Sequence, residues 1–100
     1  MIIRAMKLEL NRISLIDIED KDDIQCYRNE VGGVFETIRL KDGGLMLASK
    51  EGLIKKHPHN DLASYISERH IYGTALIVGV DGEEFDDVPE QYLPLLGLGE

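Results

Sequence analysis

The run Ile71–Val80 is near-continuously apolar, carries Gly73 and Gly79, and is broken by Asp81-Gly82. A strand with no polar face cannot lie on a surface, so it predicts the centre of a sheet covered on both sides. Its longest uninterrupted part, Thr74–Val80, is far too short to span a bilayer. One hundred residues make one small domain, which buries roughly two-thirds of the surface its unfolded chain exposes. The rest of the chain must therefore supply both the flanking strands and the two covers.

The patterning supplies them. Met6, Leu8 and Leu10 alternate with Lys7 and Glu9, predicting one apolar and one wet face, and Asn11-Arg12 turns the chain into a second run, Ile13–Ile18. Met6-Lys7 resembles a start site, so residues 1–5 read as an N-terminal extension with little role. Asp20 is the expected N-cap of a helix with Asp22 and Asp23 in its first turn. Ile24, Tyr27 and Val31 then recur at helical spacing, and Gly32-Gly33 ends it. Val34–Leu40 and Leu45–Ser49 flank Lys41-Asp42-Gly43-Gly44, a hairpin signal. Pro58 forbids regular helix after Glu51-Gly52, and Asn60 is placed to cap a short helix through Ala63 and Ile66. Asp87-Val88-Pro89-Glu90 opens a last short helix, limited by Pro94 to about two turns. The fold class is α+β: a single domain, residues 1–100, with a mixed, mostly antiparallel sheet of about five strands and two or three short helices.

Charge divides the chain unevenly. Residues 1–69 carry 11 Lys/Arg against 12 Asp/Glu, whereas His70–Glu100 holds seven acids and no base. Residues 81–100 thus form an acidic tail with a short helix. With a pI near 4.8 and no aromatic-basic stripe, the chain is not built for nucleic acid or anionic lipid. Cys26 is the lone cysteine, which excludes an internal disulfide and favours a reducing, cytoplasmic setting. The Met1–Met6 segment lacks the apolar core of a signal peptide.

Candidate chemistry is sparse. Neither a Gly-x-Ser-x-Gly elbow nor a Walker-type or dinucleotide loop is present. His57-x-His59, joined by Asp61 or His70, offers donors for a divalent metal, but the spacing matches no zinc pattern, and histidines in a basic surface loop are the commoner arrangement. No metal and no cofactor are expected. Cys26 falls mid-helix beside core positions, where thiols are mostly inert. Glu36 stands in the apolar row Val34, Ile38, Leu40, either paired to a cation at an edge or held in a partly dry site. Lys55, Lys56, His57 and Asn60 form the most basic stretch, able to receive an anion or to neutralise the acidic tail, within the chain or across an oligomer.

Taken in order, Val31-Gly32-Gly33-x-x-Glu36, Asp42-Gly43, Glu51-Gly52-Leu53, Pro58-x-Asn60 and Ile71-x-Gly73-x-x-Leu76-Ile77-Val78-Gly79 resemble the family called domain of unknown function 3846. The likeness runs from about Met6 to Glu90. Typical members carry apolar residues where His57 and His59 stand, and often an acid where Lys50 stands. The resemblance implies a bacteriophage or other mobile-element setting in a bacterial cell and carries no activity. The expected function is that of a non-enzymatic accessory protein that binds a host protein or its own copies. Glu83, Glu84, Asp86, Asp87, Tyr92, Leu93 and Leu96 are its expected contact surface, against the competing possibility that the tail helix merely caps the core. An alternative is a binder of a small anionic ligand such as a nucleotide signal, through Glu36, Lys55, Lys56, His57 and Asn60. DNA mimicry is weaker, because the first 69 residues are nearly neutral.

Overall fold

The computed structural model describes residues 1–99, with side chains described through Gly97. Six strands and two α-helices alternate as β1 (Ile3–Leu8), β2 (Ile13–Ile18), α1 (Ile24–Val31), β3 (Phe35–Arg39), β4 (Leu45–Ser49), α2 (Asp61–Ser67), β5 (Ala75–Asp81) and β6 (Glu84–Asp86). A 3-10 helix, Glu90–Gly99, closes the chain. The sheet order is β2-β1-β5-β4-β3, with β6 paired to the far end of β5, and every pairing is antiparallel.

Strand β5 is central, and Ala75, Leu76, Ile77 and Val78 are all fully buried. Alternation sends them to two different cores. Ala75 and Ile77 join Met6, Leu8, Met46 and Ile38 beneath α2 and the 3-10 helix. Leu76 and Val78 join Ala5, Leu47, Tyr27 and Val31 beneath α1. The sheet is therefore sandwiched, and β1 has no wet face: Lys7 lies half-buried under α1 with its ammonium 2.9 Å from Glu30. Residues 3–5 are not an extension, because Ile3 and Ala5 are buried in that second core and the chain enters the sheet at Ile3.

Local signals decide the boundaries. Asp23, not Asp20, caps α1, its carboxylate accepting from the Gln25 N–H at 3.0 Å, while Asp20 holds the preceding turn through Asp22 N–H. Gly32 ends α1 in the left-handed conformation. The expected strand from Ile71 begins only at Ala75, because Gly73 lies at φ 87 and Tyr72 makes an isolated bridge to His59. Beyond Asp81 the acidic tail turns back as β6, whose Phe85 packs edge-on against Tyr27 with ring centroids 4.9 Å apart. That contact helps to cover the α1 face.

Candidate functional site

The two ends of β5 carry opposite chemistry. At its C-terminal end, Asp81, Glu83, Glu84, Asp86, Asp87 and Glu90 are exposed. The β2–α1 turn delivers Glu19, Asp20, Asp22 and Asp23 to the same end, since Ile18 pairs with Ile3 at the start of β1. Lys21 joins the two runs, with its ammonium 3.1 Å from the Glu84 carboxylate. That bond holds Lys21 above the usual lysine range, and Asp22 and Asp86 add to the effect. The two runs thus bring ten carboxylates to one end, with Asp17 beside them, against Lys21 and Arg4, while the β3–β4 hairpin adds Arg39, Lys41 and Asp42 at the same end of the sheet. The β6–3-10 connection is clamped onto β1: Arg4 N–H donates to Asp87 Oδ1 at 2.8 Å, and Val88 N–H to the Arg4 carbonyl at 2.8 Å. Beside this clamp opens a cleft of about 650 Å³, lined by apolar Ile2, Leu15, Val88 and Leu93 and by charged Arg4, Asp17, Asp87 and Glu90.

The expected contact surface is partly withdrawn from solvent. Tyr92 is only 6% exposed and belongs to the core, and Leu96 packs against the same core, so neither is a free anchor. Burial also pushes the Tyr92 phenol above its usual range. Leu93 alone of the three apolar residues stays exposed, at 37%. The cause is the 3-10 geometry: its repeat of about three residues turns Tyr92 and Leu95 inward together.

At the opposite end, residues 50–57 leave β4 beside the start of β5. Here the five anticipated ligand-binding residues do not converge. Asn60 is 2% exposed; its carbonyl caps α2 through Ala63 N–H at 3.1 Å. Its amide donates to the Leu8 carbonyl at 3.0 Å and the Gly73 carbonyl at 2.9 Å, so both amide hydrogens are committed to the fold. Glu36 lies on edge strand β3, 3.3 Å from the Arg69 guanidinium, the cation-paired outcome. His57 packs on Gly73, and Lys55 reaches Glu51 at 3.5 Å. Lys56 extends into solvent at φ 60.

His59 forms a separate cluster with Asp61 and His70, both candidates from the sequence, and with Ser64, which the sequence did not reveal. Its Nδ1 lies 2.6 Å from Asp61 Oδ1, and its Nε2 lies 3.1 Å from Ser64 Oγ and 3.3 Å from His70 Nδ1. A carboxylate, imidazole and hydroxyl in that order suit proton relay. Two observations tie the cluster to the fold and to solvent. Ser64 Oγ accepts the Ile71 N–H at 2.8 Å and so fixes the turn after α2. The Asp61 side chain is 95% exposed, and water screens any charge it offers the imidazole. Among the described residues, no group of three His, Cys, Asp or Glu is placed to hold a metal ion, and His57 and His59 face apart. Cys26 is half-buried against the α1 core.

The class these features define is an α+β domain with a sheet covered on both faces and one strongly anionic end. The chain belongs to the family described as Domain of unknown function (DUF3846), whose model matches residues 3–96. No curated protein and no solved structure matches it. No helix among the described residues is long and apolar enough to cross a membrane.

Proposed function

We propose that this protein is a non-catalytic binding module of a phage or other mobile element, acting in the bacterial cytoplasm, whose anionic end docks a basic surface of a host protein. The observation that carries the proposal is the convergence of two acidic runs, separated by some sixty residues of sequence, at one end of the sheet, beside a cleft whose lining combines Leu15, Val88 and Leu93 with Asp17, Asp87, Glu90 and Arg4. Long-range attraction steers a cationic partner and raises its rate of encounter, while a desolvated apolar pocket supplies the anchor that charge alone does not. A fold gains nothing from gathering like charges, which repel one another and cost stability. The mobile-element setting rests on the family resemblance.

The test is affinity capture from bacterial lysate with the tagged wild-type chain and with Asp81→Lys/Glu83→Lys/Glu90→Lys. These three side chains are exposed. A basic protein retained by the wild type is expected to fall at least tenfold in yield with the variant. Equal capture by both chains contradicts the proposal.

A further inference from the structure

The loop beside the start of β5 presents apolar side chains. Lys55 N–H bonds the Glu51 carbonyl at 2.8 Å, Lys56 N–H the Leu53 carbonyl at 3.1 Å, and His57 N–H the Gly52 carbonyl at 2.8 Å. Its base is seated on Tyr72: Gly52 is buried so tightly that a Cβ there would collide with the Tyr72 carbonyl oxygen. On this hydrogen-bonded turn Leu53 and Ile54 stand 66% and 80% exposed, followed at once by Lys55 and Lys56. Two adjacent aliphatic side chains held in water by a hydrogen-bonded turn gain the fold nothing, and pre-organisation of this kind lowers the entropy cost of binding.

The complementary surface lies on the same molecule. The cleft at the far end is lined by apolar Leu15, Val88 and Leu93 and by Asp17, Asp87 and Glu90 against the single cation Arg4, so it is net acidic, and at about 650 Å³ it is of the size that receives small apolar groups. The loop cannot reach it within one chain, because β5 separates the two ends by about 20 Å of strand. We infer that the loop Leu53–Lys56 of one copy docks into the net acidic cleft of the next, giving a head-to-tail assembly. The proposal rests on the anionic end being a docking face, and it names a second copy of this chain as one occupant. Because the two surfaces differ, the contact is heterologous and propagates into a ring or an open chain, not a closed two-fold dimer.

Sedimentation equilibrium of the purified protein from micromolar to near-millimolar concentration tests it. The mass of the wild type is expected to rise with concentration past the dimer, and the association to weaken about tenfold or more when salt is raised from low to high. Lys56→Glu and Glu90→Lys, both at exposed positions, each weaken assembly when made alone, and together in one chain they restore it, because the exchanged charges meet again across the contact. Mixing Leu53→Ser/Ile54→Ser/Lys56→Glu with Asp17→Lys/Glu90→Lys gives a complex that stops at one copy of each. A wild type that stays monomeric at every concentration, or one that halts at a dimer indifferent to these substitutions, overturns the inference. If a basic host protein is still captured through the anionic end while the wild type is monomeric, the head-to-tail contact fails and the docking face survives.

Discussion

The two ends of β5 are held by different physics. At the start of the strand the bonds are short, neutral and dry: the Asn60 amide ties α2, β1 and the Gly73 turn together, and Ser64 fixes Ile71. At its finish the fastening is charged and wet, with Lys21 on Glu84 and the Asp87 carboxylate on a backbone N–H, supplemented by Phe85, Val88 and Tyr92 pressed into the two cores. A neutral network resists salt and pH. A fastening among ten carboxylates does not, and it leaves a surface whose charge is free for a partner.

The largest expected effects come from removing a buried group at either end. Tyr92→Ala is expected to cost about 3–5 kcal/mol in urea unfolding, and Leu93→Ala less than about 0.5 kcal/mol. Equal losses would mean that the tail helix is not part of the core. Asn60→Ala removes a cap and strands two buried carbonyls, an expected cost of about 3 kcal/mol or more with little dependence on salt. Gly79 lies so close to the Asp87 carbonyl oxygen that a Cβ would collide with it. Gly79→Ala is therefore expected to cost about 2 kcal/mol and to loosen β6, read as faster amide exchange at residues 84–88 with β1 and β4 unaffected.

Raising the pH acts selectively on the anionic end. Burial pushes the Tyr27 phenol up to about 12, and its hydroxyl donates to the Lys21 carbonyl at 2.6 Å. Between the ordinary tyrosine value of about 10 and the folded value, the unfolded chain has lost this proton and the folded chain keeps it. Stability from this source is complete below pH 10 and declines as pH rises toward 12. Lys21, raised by Glu84, works in the same direction, losing its bond as it deprotonates. The expected outcome is a fall in melting temperature above pH 10 that Tyr27→Phe makes shallower; an unchanged slope would contradict the assignment. The smallest effect is that of salt on the anionic end, where screening should relieve repulsion and shift the melting temperature by a degree or two.

Much of this architecture was legible in the residues. The apolar run through Val80 identified the central strand, Asp-Gly marked the β3–β4 hairpin, and Asn60 announced α2, because each signal is local and strong. What escaped was set by distance. Strand β6 is three residues, two of them acidic, and it exists only because β5 offers an edge and Tyr27 a partner for Phe85. The burial of Tyr92 depends on a 3-10 turn in place of the expected α-helix, which changes the face that meets the sheet. The acidic runs look independent in sequence, one a helix start and one a tail, and only the pairing of β1 with β2 and β5 brings them together. The His59 cluster was half visible: Asp61 and His70 were candidates beside the histidine, but Ser64 joins them through the helical turn that stacks it over the α2 cap.

The proposed activity is recognition at the anionic end. A photo-crosslinking residue at position 93, beside the cleft, compared in bacterial cells with the same residue at exposed position 65 on α2, tests it most directly. The account predicts adducts from position 93, to a basic protein or to a second copy, that vanish when Asp81, Glu83 and Glu90 are changed to lysine. No adduct at position 93, or equal adducts at both positions that ignore those charges, would contradict it.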